Sequence, residues 1–331
     1  MTVLVTGATG LLGSHIVDLL VERGERVRAL ARPGENYERL TALGVEVCCS
    51  DLSDHRSLEA AVQGMERVLH CAAKTGPWGP EAEYQRINVE GLKALVEAAL
   101  VAGVQRFVHV SSITVHGNDV RGTADETAPL RVEPNPYSRT KVAGERLLAA
   151  LIRERAAPIT IVRPGWIYGP RDTASFARFA TLIRDGKMLV IGSGANHVPL
   201  IYVRDAAEGV IRASAAPGAS GRAYLLVNDE RVTQHDYLAA IAHELGVRSP
   251  SRRIPYHVAL GLGATAEFVG HLSRQKQPAL MRYGLQLLGG ENQFVITRAR
   301  KELGFAPAVK LADGVRESVA WYRANVSVSD T

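Results

Sequence analysis

Along the first half of the chain, short apolar runs rich in β-branched residues alternate with longer runs whose apolar positions recur every three to four residues. VLVTG (3–7), RVRAL (26–30), VEVCC (45–49), RVLHCAA (67–73) and RFVHVSS (106–112) have the character of strands. LLGSHIVDLLVERG (11–24), YERLTALG (37–44), HRSLEAAVQG (55–64) and YQRINVEGLKALVEAALVAG (84–103) carry the helical period. Gly24, Gly44, Gly64 and Gly103 stand where each helix should stop, and glycine takes the left-handed cap conformation without a steric penalty. The strand runs are apolar almost throughout instead of alternating, which suits a parallel sheet covered on both faces. Repeated strand-helix units of this kind predict an α/β fold with a doubly wound parallel sheet.

After ITIVRPGWIYGP (159–170) the rhythm breaks into Gly- and Pro-rich connections such as IGSGANHVPLIYVRD (191–205). RAYLLV (222–227) reads as a short strand that completes the sheet edge, and the remaining helices as a smaller lobe. HVALGLGATAEFVGHL (257–272) is the most apolar stretch, yet it contains Glu267 and falls short of the roughly 20 residues that cross a bilayer. It is expected to be a helix of the small lobe that lines a pocket. The tail NVSVSDT (325–331) is expected to fray.

Composition adds exclusions more than assignments. The 331 residues are 46% hydrophobic and 22% charged, an ordinary globular balance. The formal charge of +5 points to an anionic small molecule, because no long basic run marks a nucleic-acid footprint. Cys48, Cys49 and Cys71 match neither a disulfide framework nor metal spacing and are expected to be reduced core residues, with no metal site. MTVLVTGATG lacks the basic start and long apolar stretch of a signal peptide, so a cytoplasmic protein without a membrane span is expected.

Four places then suggest chemistry. Gly7, Gly10 and Gly13 recur at intervals of three between the first strand and the first helix, where backbone must approach a pyrophosphate closely and helix N–H groups can receive it. At the end of the second strand an acid would hold the ribose hydroxyls of NAD; here Ala31 and Arg32 stand there, and a guanidinium suits the added 2′-phosphate of NADP. Asp51, after the third strand, is open to two roles, adenine contact or capping of the next helix. In NPYSRTKVAGERL (135–147), Tyr137 and Lys141 are four apart and share a helical face.

TGATGLLG, Asp51-Leu52, HCAA (70–73), NVEG (88–91), VSSITVHG (110–117) and YSRTK (137–141) occur in one order, followed by RPGWIYGP and GSGANHVPLIYVRDAAEGV. Together they resemble the extended short-chain dehydrogenase/reductase family, and in particular its 3β-hydroxysteroid dehydrogenase and dihydroflavonol reductase branch. The resemblance implies a Rossmann-type dinucleotide domain over 1–170 and a mainly substrate-binding lobe over 171–331, with segments around 200–230 returning to the sheet. It also implies a catalytic set of Ser112, Tyr137 and Lys141. The cofactor-binding residues it implies are Gly7, Thr9, Gly10, Leu11, Leu12, Gly13, Arg32, Asp51, Leu52, Ala72, Ala73, Lys74, Tyr137, Lys141 and Pro164. Lys141 is expected to acidify the Tyr137 phenol, whose ordinary pKa is near 10. Ser112 is preferred to Ser111, which alternation sends to the opposite face. His116 is open between substrate contact and packing, Asn88 is expected to tie helix to sheet, and His70 and His109 to be satisfied core histidines.

The reaction has to be chosen from other positions. Dehydratases of the family carry an Asp-Glu pair where this chain has Ile113 and Thr114, and nucleotide-sugar members carry an asparagine and an arginine near the places of Trp166 and Val198. Trp78, Trp166 and HVPL (197–200) suit an apolar substrate instead. The expectation is an NAD(P)-dependent oxidoreductase, with NADP preferred and NAD as the alternative, acting on a hydrophobic alcohol or ketone of steroid- or flavonoid-like kind. A sugar-nucleotide epimerase holding NAD tightly, and a non-catalytic NADP-sensing regulator, are the alternatives; the second normally loses the tyrosine or lysine that this chain keeps. A homodimer through the helix bearing Tyr137 is also expected.

Overall fold

The computed structural model describes residues 1–120, 122–273 and 277–326; the tail expected to fray therefore lies, from 327 onward, outside the described residues. Seven parallel strands form the main sheet: β1 (Thr2–Thr6), β2 (Arg26–Ala31), β3 (Glu46–Cys49), β4 (Arg67–His70), β5 (Arg106–Val110), β6 (Ile159–Pro164) and β7 (Ala223–Leu226). Their order is β7-β6-β5-β4-β1-β2-β3. The chain winds outward from β1 through β2 to β3, returns to place β4 on the other side of β1, and winds outward again. That reversal opens a crevice at the C-terminal ends of β1 and β4, where sheets of this kind take their ligands.

Burial on both faces explains the unbroken apolar strands. Val3 and Val5 pack into one core layer and Leu4 into the opposite one, all fully buried. Five helices matter for the site and its surroundings: α1 (Leu11–Glu22), α2 (Leu92–Val101), α3 (Pro136–Arg155), α4 (Val203–Ala215) and α5 (Tyr256–Leu272). Residues of α1 and α4 fill the layer shared with Val3, and residues of α2 and α3 the layer shared with Leu4. Gly24, Gly44, Gly64 and Gly103 all have φ near +70°, as their helix-stop role requires. Strand β7 pairs with β6 from Ala223 against Ile161 to Leu226 against Pro164, so the segment after 200 does return to the sheet.

The remaining helices, α5 among them, build a third apolar cluster with Phe176, Val198, Leu200, Tyr237 and Leu288. Two sequence expectations are corrected here. HVPL does not face a substrate: Val198 and Leu200 are core residues of this cluster, while His197 is held by Glu291 and Arg231. Trp78 packs its ring on His271, 4.2 Å between centroids, because Gly270 leaves space for it.

Histidines and cysteines also depart from expectation. His70 bonds Thr6 Oγ1 at 2.8 Å, as a satisfied core residue should. His109, its partner in register on β5, stacks on it at 5.4 Å, yet neither ring nitrogen has a hydrogen-bond partner among the described residues. Cys49 is exposed, since alternation at the edge strand β3 turns it outward, and Cys48 and Cys71 are half-buried.

Burial keeps these histidines neutral. It pushes His15 down to about 4 and His70 to about 3, with His109 and His116 shifted the same way. An unfolded chain protonates its histidines near 6.5, so between that pH and the lower folded values the unfolded state binds more protons. Stability should therefore be lost as pH falls below about 6.5, at up to about 1.4 kcal/mol per unit for each such histidine. Calorimetry should show the melting temperature falling steadily from about pH 6.5 to 4.5; a flat profile would refute the assignment of neutral buried imidazoles.

Candidate active site

The C-terminal ends of the central strands open into one cleft of about 1210 Å³. Small-ligand pockets are roughly 300–1,000 Å³, so this one has room for a dinucleotide and a second molecule. The 7–13 turn, Arg32, Asp51, Leu52, residues 72–74, Ser112, Tyr137, Lys141 and Pro164 all line it.

The turn after β1 is shaped by close approach. A Cβ on Gly7, where φ is +67°, would lie 2.8 Å from the Ala72 nitrogen, and one on Gly13 would lie 2.1 Å from the Gly7 carbonyl oxygen. Only glycine lets the turn sit on the end of β4 and lets α1 close on the turn. Gly10 caps α1 without a side-chain hydrogen bond, and no acid stands in the first turn. The free N–H groups and positive end of α1 thus face the cleft, a cradle that fits a pyrophosphate. Arg171, not anticipated from sequence, adds a cation beside this helix: at φ +73° it donates to Ser14 Oγ at 2.9 Å and to Asp18 at 2.7 Å. The turn-forming GP before it was the available signal.

Arg32 does not stand without an acid beside it. Glu35, three residues on, takes the Arg32 guanidinium at 2.7 Å and accepts from Thr9 Oγ1 at 2.8 Å. Burial opposes ionisation of Glu35, but the bonds from Thr9 and Arg32 prevail and hold its carboxyl below the usual range. An acid therefore does stand beside Arg32 at the cleft, from the loop after β2 instead of the strand end. Asp51 makes a local turn by accepting from Ser53 N–H at 2.9 Å, and Asp54 caps the helix that follows. The capping alternative for Asp51 is thereby removed.

The catalytic candidates converge from two elements. Asn135 caps α3 by accepting from Ser138 N–H at 2.8 Å, with Pro136 in the first turn, and this sets the phase that points Tyr137 and Lys141 at the end of β5. Lys141 Nζ lies 5.8 Å from the Tyr137 ring centre and donates to the Val110 carbonyl at 2.8 Å. Ser112, at the end of β5, accepts from both Thr114 N–H (3.2 Å) and Thr114 Oγ1 (3.1 Å). Its own hydroxyl proton is therefore left for the Tyr137 phenol, with which it hydrogen-bonds at the cleft. Ser111 is already engaged, donating to Glu145 Oε1 at 2.6 Å in a buried network.

One electrostatic expectation is reversed. Burial pushes the Tyr137 phenol up to about 12, outweighing the Ser112 hydrogen bond that favours its anion, while burial pulls Lys141 down to about 8. Lys141 spends its ammonium on the Val110 carbonyl, and desolvation dominates both groups. The phenol is accordingly a well-protonated donor near neutral pH.

Neighbouring residues complete the site. Asn88 accepts from Lys74 N–H at 2.7 Å and donates to Thr140 Oγ1 at 3.0 Å from within the π-helical turn Arg86–Gly91, tying its helix to the loop after β4 and to α3 instead of to a strand of the sheet. His116 resolves to packing: its Nε2 meets Arg163 at 3.1 Å, and it does not line the cleft. Tyr283 approaches Tyr137 edge-on at 6.3 Å from the small lobe, a neighbour that no local pattern identified. Trp166 lines the cleft as expected, its Nε1 donating to Ser175 at 3.2 Å. Beyond Tyr283 the wall is mostly apolar, with Phe179, Leu182, Met188, Ile191, Ile254 and Leu285, and carries Arg178 and Lys187.

Residues 3–226 match the model of the NAD dependent epimerase/dehydratase family. The chain belongs to that family. It is 31% identical to 2-alkyl-3-oxoalkanoate reductase of Stenotrophomonas maltophilia, over 96% of this chain and 98% of that one. It is 30% identical to the human sterol-4-alpha-carboxylate 3-dehydrogenase, decarboxylating, over 96% and 87%. Among solved structures, gox2253 superposes with a TM-score of 0.83 at 30% identity, covering 98% of each chain. With these relatives this extended short-chain dehydrogenase/reductase is an NAD(P)-dependent oxidoreductase, and the glycine cradle fits the nicotinamide dinucleotide such an enzyme requires.

Proposed function

We propose that this enzyme reduces the ketone of a hydrophobic 3-oxo acid, or oxidises the matching 3-hydroxy acid, with NADP(H). The observation that carries the reading is the pairing of two proton donors, Ser112 and Tyr137, at the mouth of an apolar chamber. Ser112, held by Thr114, turns the hydrogen bond it gives the Tyr137 phenol towards the substrate oxygen when substrate enters. Tyr137 gives that oxygen its proton, or recovers it in the reverse direction. Lys141, fixed on the Val110 carbonyl, stabilises the phenolate left behind. The glycine turn, Arg32, residues 72–74 and Pro164 would hold the dinucleotide, which would supply or accept the hydride when bound. The 3-oxo acid class is supported by the two relatives, whose names both place the reacting oxygen at carbon 3 beside a carbon bearing a carboxyl group.

Purified protein should oxidise NADPH when given long-chain 2-alkyl-3-oxo acids or keto-steroids bearing such a carboxylate, with unbranched short ketones turned over more slowly. Interconversion of UDP-sugars without net NADPH consumption would overturn the proposal.

Arg32 is the residue we assign to the 2′-phosphate, with Glu35 offsetting part of its charge. Arg32→Asp should then shift the kcat/KM ratio from NADPH towards NADH by about ten- to a hundredfold, the size of a lost charged hydrogen bond of roughly 1.5–3 kcal/mol. Glu35→Gln should move the ratio the other way. Steady-state kinetics with both cofactors checks the pair, and an unchanged ratio in both variants would remove Arg32 and Glu35 from that role.

A further inference from the structure

The outer face of α5 is the feature of this molecule that the proposed chemistry leaves unused. Val258, Leu262, Phe268, Val269 and Leu272 are all 49–78% exposed, and their spacing places them in one stripe along the helix. The opposite face is already occupied: Ala259, Gly263 and Gly270 are buried, Gly263 against Leu285 and Gly270 against Trp78 and Pro278. Glu267, the one acid of the helix, is turned away from the stripe, accepting from the Arg282 N–H and guanidinium at 2.7 Å.

The sequence that contains this helix is basic. Residues 247–284 contain six arginines and lysines and a single acid, so the +5 of the whole chain is the surplus of this segment and the rest of the sequence is balanced. Arg252 and Arg253, just before α5, are exposed. The stripe is also continuous with the cleft, because Leu262 belongs to both and exposed Leu280 stands at the same rim.

We propose that α5 lies on an anionic lipid surface, with Phe268 and Leu272 inserted among the acyl chains and the flanking cations on the headgroups, so that the cleft rim opens at the membrane. A helix with an apolar face, a basic flank and no length to span is the form that binds in the interfacial plane. Anionic lipid, in place of a protein, is favoured by the coincidence of the whole charge surplus with the apolar stripe. The benefit of this placement rests on the apolar-substrate reading above: a substrate dissolved in the bilayer enters the chamber without crossing water.

The test is co-sedimentation of the full-length protein with phosphatidylcholine vesicles, with and without phosphatidylglycerol, at low and high salt. Wild-type protein should partition onto the phosphatidylglycerol vesicles, and salt should weaken the binding. The double variant F268E/L272E should lose at least about tenfold in partitioning, and R252E/R253E should lose the salt-sensitive part. Both substitutions lie outside the cleft lining, so turnover of a water-soluble ketone should be unchanged. Failure of wild-type protein to bind, or equal binding by F268E/L272E, overturns the proposal. So does a wild-type dimer that F268E/L272E converts to monomer while neither binds vesicles, which would make the stripe a subunit interface. Vesicle binding without any ketone reduction would instead leave the docking intact and refute the enzymatic reading.

Discussion

Tyr137→Phe should lower kcat/KM for ketone reduction by about 10²–10⁴-fold, equivalent to roughly 3–5 kcal/mol of transition-state stabilisation, while leaving dinucleotide affinity nearly unchanged. Burial governs the protonation of this phenol: it is pushed up to about 12, and Ser112 is the side chain that hydrogen-bonds it. Phenylalanine keeps the ring and its edge contact with Tyr283 at 6.3 Å, so the wall of the cleft persists and only the proton is lost. Binding measured by nucleotide fluorescence and turnover measured separately distinguish a lost proton donor from a collapsed site. Retention of turnover within a factor of a few would show that another group delivers the proton, and the catalytic assignment would fail.

The second large effect lies beneath the site. Glu145 on α3 and Arg163 on β6 form a two-pronged ion pair, at 3.0 and 2.6 Å, with side chains only 2% and 7% exposed. Ser111 donates to the same carboxylate at 2.6 Å, and the guanidinium also meets the Glu126 carbonyl at 3.0 Å and His116 at 3.1 Å. Every prong is occupied, which is the condition under which a buried pair tolerates its desolvation. Glu145→Leu leaves the guanidinium buried without its counter-charge and should cost about 3–5 kcal/mol of stability. Combining Glu145→Leu with Arg163→Met removes both charges and should restore most of that loss, because the desolvation cost disappears along with the attraction. Denaturant unfolding of the wild type, the single variant and the double variant checks this. A single variant within about 1 kcal/mol of wild type would show that the pair is not the tie between α3 and the sheet.

The wrong inferences share a cause. Arg32 without an acid, an acidified phenol and a satisfied His109 all follow from local pattern, and each is changed by the path of a loop, by a neighbouring strand or by burial. Glu35 folds back to Thr9, across 26 residues, through a loop whose path no periodicity encodes. The Tyr137 shift depends on how much water the small lobe excludes, a property of chain from another part of the sequence. His109 has no hydrogen-bond partner among the described residues, and the parallel register places His70 beside it, which spacing along one strand does not reveal.

By itself, the sequence determined the doubly wound sheet, the four glycine stops, the cradle at Gly7, Gly10 and Gly13, and the shared face of Tyr137 and Lys141. These follow from periodicity and from glycine's freedom in φ, both local properties of the backbone. Tertiary structure alone decided the protonation of the phenol, the Glu35 partner of Arg32, the approach of Tyr283, the buried Glu145–Arg163 tie and the outward-facing stripe of α5. Those depend on solvent exclusion and on contacts between remote segments, which exist only once the chain has closed around its core.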